Sequence, residues 1–328
     1  MSLKADMILD VIDTHTEGEP TRILFWNKNP KKFDSVFQLR EYFKENYDFI
    51  RKAILFEPRG HRDQFGAIIF PPVSDNADYS LIFATTEGYL DMCGHATIGV
   101  SSALISMGMM PFEGKEKTII YDTVAGKVSA RVKIEDGEPI SVSIIDVESY
   151  YSGSCRIMFN GREINIDVSY GGNFYAIAKS EDIGIEVKAE NIDKLVDAGN
   201  DIREKVHEEH KDLLSIKNGN SYPLAMIIDS VRGNEIVIFS NNSFDRSPCG
   251  TGTAARSALL FHKGELTVGQ SFINRSITGT EFKCTVISSG EVNGKKSVVP
   301  EITGRAWITQ LSKIIIGHSD PFKYGFLL

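Results

Sequence analysis

The chain has 328 residues, 42% hydrophobic and 24% charged, a composition suited to two ordinary folded domains. Its net charge of −8 argues against nucleic acid or an anionic membrane as the main partner. No apolar run approaches the ~20 residues that span a bilayer. The N-terminal stretch is interrupted by Asp6 and Asp10 and does not read as a signal peptide, so the expected compartment is the cytoplasm.

The elements follow in chain order. Residues 7–13 are a predicted strand. The polar segment 14–22, with His15, Glu17, Gly18 and Glu19, is either a hairpin connection or a loop at the mouth of a site. A strand resumes at 23–26. Over 35–55, Val36, Leu39, Tyr42, Phe43, Phe49, Ile50, Ala53 and Ile54 recur at helical spacing and predict an amphipathic helix. A glycine-marked loop over 57–66 leads into strands at 67–70 and 79–84, then a cysteine and a helix ending near Gly108. Strands are expected at 118–122, 127–134 and 141–147. The charged turn Glu135-Asp136-Gly137-Glu138-Pro139 places a boundary between a first domain, 1–138, and a second, 139–308. The segment from about 309 to 328 is expected to pack back on the first domain.

The second half repeats this rhythm. It has a strand at 164–168, the glycine-rich Tyr170-Gly171-Gly172-Asn173-Phe174-Tyr175 and a strand at 176–178. An amphipathic helix at 191–210 and strands at 224–229 and 235–239 lead to another cysteine with its helix. Strands at 271–272, 280–287, 306–308 and a last run at 313–316 close the chain. The order of elements reads as a structural duplication.

Four cysteines in this length make no disulfide framework, and no Cys-x-x-Cys or zinc-like spacing occurs. Cys155 and Cys284 lie in strand or turn contexts and read as packing thiols. Cys93 and Cys249 are different. In Met92-Cys93-Gly94-His95-Ala96 and Asp245-Arg246-Ser247-Pro248-Cys249-Gly250-Thr251-Gly252-Thr253, a cysteine precedes small residues and an apolar helical pattern. Each thiol would sit at a helix N-terminus, where free amides and the helix dipole favour thiolate and attract anions. A tight helix start packed on a neighbour would look similar, but two in matching positions favour a site. Neither stretch carries a phosphate-loop or dinucleotide pattern. Two opposed thiols suit inversion of a carbon bearing an acidic hydrogen: one face needs a base, the other an acid. Amides holding the substrate carboxylate would stabilise the enediolate-like charge.

These two boxes resemble the signatures of the proline racemase family, which includes 4-hydroxyproline epimerases and trans-3-hydroxy-L-proline dehydratases. Asp13-Thr14-His15-Thr16-Glu17-Gly18-Glu19-Pro20, Glu57-Pro58-Arg59-Gly60-His61, Tyr170-Gly171-Gly172-Asn173-Phe174 and Pro300-Glu301-Ile302-Thr303-Gly304 match further blocks in the family's order. The chain departs from the family pattern at Gln64 and Val124. The resemblance implies an α/β (α+β), diaminopimelate-epimerase-like fold: two similar domains, each a curved sheet around a central helix, with the active site in the interdomain cleft. It implies a homodimer, no cofactor and no metal. Cys93 and Cys249 would be the acid/base pair. His95 and Asp245 would contact the substrate ring nitrogen, and the amides of Gly94, His95, Gly250 and Thr251 its carboxylate. Cysteine rather than threonine at position 249 speaks for inversion over dehydration. Phe65 and Phe239 at the pocket positions favour proline over 4-hydroxyproline, whose hydroxyl would be buried unpaired.

Overall fold

The computed structural model describes residues 4–28, 32–216, 219–240 and 243–328. They form two compact units. The first comprises the chain through Thr16, Pro20–Ser143 and Arg305–Leu328; the second comprises Glu17–Glu19 and Ile144–Gly304. Pro139, the expected boundary, lies inside the strand Glu138–Ile145, and the division runs through that strand. The described residues contain no helix long and apolar enough to cross a membrane.

In the first unit, the strand Ala5–Thr16 pairs antiparallel with Ala306–Gly317, with Leu9 opposite Ile314 and Thr16 opposite Ala306. The two short runs expected near the C-terminus are thus one strand. The strand Glu19–Phe25 lies parallel to Phe65–Phe70, which pairs antiparallel with Tyr79–Ala84. Tyr79–Ala84 also pairs with Tyr89–Leu90 and with Glu116–Asp122, the latter in a hairpin with Lys127–Glu135.

Helix α1 (Val36–Leu55) starts at Ser35, whose Oγ accepts the Gln38 amide. It buries Val36, Leu39, Phe43, Ile50 and Ile54 against the strands Phe65–Phe70 and Tyr79–Ala84. Helix α2 (Gly94–Ser106) is buried from Gly94 to Ile105 and packs on strands of its own unit, including Ala5–Thr16 and Ala306–Gly317. A helix surrounded on all sides has little use for an amphipathic pattern; its small residues let the strands approach.

The second unit repeats the plan with a closed ring of strands. Ser149–Phe159 pairs with Arg162–Tyr170, then follow Phe174–Lys179, Leu224–Ile228, Asn234–Ser240, Ser271–Ser276, Glu281–Val292 and Lys295–Gly304. Lys295–Gly304 returns to Ser149–Phe159. After the short α3 (Ser180–Ile183), helix α4 (Ile192–Glu209) packs Leu195, Ala198, Ile202 and Val206 on the outside of Leu224–Ile228 and Asn234–Ser240. Helix α5 (Gly250–His262) packs against the other strand faces and is buried along most of its length.

Two of these strands, Ser149–Phe159 and Lys295–Gly304, were not expected from the sequence. Pro300 disguises the second. It sits opposite Val286 beside a bulge between Val286 and Ser288, a position where proline is tolerated. Its carbonyl accepts the Asp146 amide at 3.0 Å.

Asp146 carries a pH-dependent cost. Its Oδ1 accepts the Val147 amide, but burial pushes the carboxyl up to about 7. A carboxyl raised on folding contributes stability that is full below its unfolded value and lost as pH rises through the folded value. The wild-type chain should therefore lose about 3 kcal/mol between pH 5 and pH 8 through this residue. Asp146→Asn should flatten that part of the stability profile and raise the melting temperature at pH 8 but not at pH 5. Parallel melting profiles for the two proteins would contradict the assignment.

Candidate active site

The first half of the site is set by the start of α2. Cys93 is its N-cap residue, 5% exposed, and its carbonyl accepts both the Thr97 amide and the Thr97 hydroxyl. Cys93 Sγ lies 3.3 Å from His95 Nδ1 and 3.7 Å from Nε2. An imidazole at this distance can accept from a thiol or donate to a thiolate, depending on its tautomer. The Phe65 ring meets the His95 ring edge-on, with centroids 4.7 Å apart. The His95 carbonyl accepts the Thr16 hydroxyl at 2.8 Å. Cys93, Gly94, His95 and Phe65 are thus one packed group within the first unit.

Of the two readings of the polar segment 14–22, the structure shows the hairpin connection: the flanking strands pair across a turn at Glu17-Gly18. The segment is mostly strand, Ala5–Thr16 followed by Glu19–Phe25. Alternation along the strand turns Thr14 and Thr16 inward, both fully buried, and His15 to the opposite face. There His15 stacks on Trp307 at 5.0 Å.

The second half is built on α5. Cys249 is 5% exposed and adopts φ +53°, a left-handed conformation that a non-glycine residue holds at a cost of order 1 kcal/mol. Surrounding contacts determine it. Asp245 ends the strand Ser243–Asp245, and its Oδ1 accepts both the amide and the hydroxyl of Ser247, at 2.8 and 2.7 Å. Ser247 Oγ in turn accepts the Cys249 amide at 3.1 Å. Asn274 Nδ2 donates to the Pro248 carbonyl and to Thr253 Oγ1. The Arg246 amide donates to Glu19 Oε2 at 2.7 Å. A Cβ on Gly252 would lie 3.1 Å from Cys249 Sγ and 2.6 Å from Met226 Cε, so a side chain there would crowd the sulfur and displace the end of Met226. Phe239 belongs to the same apolar cluster as Cys249, Val237 and Met226.

The electrostatics of Cys249 differ from the expectation of a thiolate favoured by a helix N-terminus. Burial first, and then the charges of Asp245 and Glu235, push this thiol well above its ordinary value. The Tyr175 hydroxyl and the Gly252 amide act in the opposite direction without overcoming them. Glu235 is 1% exposed, with neither carboxyl oxygen bonded among the described residues. Burial and Asp245 raise it strongly in turn, against the pull of Arg256.

The sequence reading missed Tyr175, Asn173, Ser247, Glu235 and Asn274 as neighbours of the second thiol. Ser247 lay inside the cysteine box and Asn173 in the glycine-rich stretch; Glu235 and Asn274 had no local signal, and Tyr175 had a positional one. Tyr175 follows Asn173 by two positions at the start of the strand Phe174–Lys179, so both side chains face the same way.

The family model described as "Proline racemase" matches residues 11–327. A proline racemase of Clostridioides difficile is 37% identical over 337 aligned residues, covering 99% of this chain and 100% of the relative. A 4-hydroxyproline 2-epimerase of Streptosporangium roseum is 36% identical over 333, covering 99% and 100%. A crystal structure of a hydroxyproline epimerase from Agrobacterium vitis, with bound trans-4-hydroxy-L-proline, superposes with a TM-score of 0.90 at 27% identity. It covers 99% of this chain and 97% of that one.

Proposed function

The chain belongs to the proline racemase family, and from that premise we propose that it interconverts L- and D-proline by proton transfer between two cysteines at the α-carbon. With the family comes the enzyme class, an isomerase acting on amino acids. The observation that carries the mechanistic reading is the matched pair of helix starts. Each unit puts a buried cysteine immediately before a core helix. His95 touches the Cys93 thiol, and Asp245 is linked through Ser247 to the backbone amide of Cys249.

In this reading the thiolate of one cysteine removes the α-proton, and the electron pair left behind delocalises into the carboxylate. The thiol of the other cysteine then delivers its proton to the opposite face. The two sulfurs end with exchanged protonation states, ready for the enantiomer. The amides of Gly94, His95, Gly250 and Thr251 hold the carboxylate, where two helix dipoles stabilise the developing charge. His95 and Asp245 engage the ring nitrogen. The thiols interact, so their titration belongs to the pair. No cofactor enters this scheme, and the active form is a homodimer in the cytoplasm.

Phe65 and Phe239 choose the substrate. A ring hydroxyl against two phenyl faces loses its water without gaining a partner, which costs up to about 10²-fold in kcat/KM. Polarimetry on L-proline and trans-4-hydroxy-L-proline side by side should show proline racemised about 10²-fold more efficiently. The reverse preference would make the chain a 4-hydroxyproline 2-epimerase, the activity named for one of its relatives.

A further inference from the structure

We propose that Tyr175 is a positioning residue that orients the Cys249 sulfur and stabilises its thiolate, through a hydrogen-bond chain that begins at Asn173. The observation is a buried row of polar atoms inside the second unit. Tyr175 OH lies 3.3 Å from Cys249 Sγ and 2.5 Å from Thr251 Oγ1. Asn173 Nδ2 lies 3.4 Å from the same Thr251 oxygen. Tyr175 is fully buried and Thr251 is 3% exposed, so bulk water does not compete for these groups.

The chemistry of the first member gives the row its direction. An amide nitrogen only donates, so Thr251 Oγ1 accepts from Asn173. The threonine proton is then available to Tyr175, and the tyrosine proton to sulfur. When Cys249 becomes a thiolate, every group in the row already points the right way. When Cys249 is a thiol, its proton can point back at Tyr175, and the phenol proton returns to Thr251. The row therefore favours thiolate without transferring a proton of its own. Burial and the Cys249 charge both raise the phenol, so it stays protonated and remains a donor.

The surroundings make such a donor necessary. The titratable groups facing Cys249 are Asp245 on the preceding strand, Glu235 on the strand Asn234–Ser240 and Tyr175 on Phe174–Lys179. Arg256 of α5 acts on Glu235 and donates to Asn274. Two carboxyls oppose ionisation of the thiol, and the Tyr175 hydroxyl is the side chain that counters them. A hydrogen bond to a charged group is strong enough for this role.

The inference rests on Cys249 acting as one of the two bases, but its test does not need turnover. In a Cys93→Ser background, the rate of Cys249 alkylation by iodoacetamide is followed against pH by peptide mass spectrometry. Tyr175→Phe should move the midpoint up by about one unit and lower the rate at pH 8 about tenfold. Thr251→Val should shift it in the same direction by less, and Thr251→Ser should restore it. A melting temperature equal to that of the parent should report an intact fold. An unchanged midpoint in folded Tyr175→Phe overturns the proposal. A shifted midpoint together with a wild-type chain that does not racemise proline would leave the Tyr175 assignment standing and remove the catalytic reading instead.

Discussion

Replacing either Cys93 or Cys249 with serine should lower proline racemisation by at least about 10³-fold. General acid–base groups contribute ~10²–10⁴ each, and a serine hydroxyl is far too weak an acid to alternate with a thiol near neutral pH. The change of sulfur to oxygen is small, and both residues are buried N-cap positions whose backbone contacts do not involve the side chain. The variants should therefore fold. The informative measurement is exchange of the α-hydrogen in deuterium oxide from each enantiomer separately. With one thiol left, exchange should persist slowly from one enantiomer only, and the two variants should prefer opposite enantiomers. Near wild-type racemisation in either variant would exclude the two-thiol mechanism. Symmetric residual exchange would mean that the surviving thiol is not confined to one face.

Gly171→Ala should be almost as damaging, for a reason that lies in packing. A Cβ on Gly171 would lie 2.4 Å from the Thr251 carbonyl oxygen, 2.4 Å from the Ala255 amide nitrogen and 2.9 Å from Ala254 Cβ. Two of these are backbone atoms of the first turns of α5, which cannot swing aside as a flexible side chain would. Either the ring of strands opens or α5 shifts, and a shift displaces Cys249 and Thr251 together. The expected cost is about 3 kcal/mol, seen as a lower melting temperature, with activity falling by more than the stability loss explains. Gly88→Ala is the control. A Cβ there meets nothing within 4 Å, so its melting temperature and activity should match wild type. Equal behaviour of the two alanine variants would show that the close approach of Gly171 to α5 is not needed.

The two cysteine boxes, the helices α1 and α4 and the similarity of the two halves were legible in the sequence because each is a local property. A helix N-terminus after a small-residue run, or an apolar stripe at 3.6-residue spacing, is determined by residues within a few positions of one another. The amphipathic run at 35–55 became Val36–Leu55, and the one at 191–210 became Ile192–Glu209. The family resemblance rests on the same kind of local pattern.

What the tertiary structure decided lies at long range. His15 sits in a segment dense with ionisable groups, yet the pairing of Ala5–Thr16 with Ala306–Gly317 turns it onto Trp307. Lys295–Gly304 is a strand despite Pro300 because its neighbours on both sides supply the pairing and the bulge absorbs the proline. The state of the Cys249 thiol shows the division most clearly. The local sequence places it at a helix N-terminus, which favours thiolate. Burial, the carboxyls of Asp245 and Glu235 and the hydroxyl of Tyr175 reach it only after the strands have closed around α5. The sequence by itself determined that a cysteine stands before each of two core helices. Folding decided the acidity of the Cys249 thiol, because the energy of a charge depends on everything within a few ångströms of it, however far away along the chain.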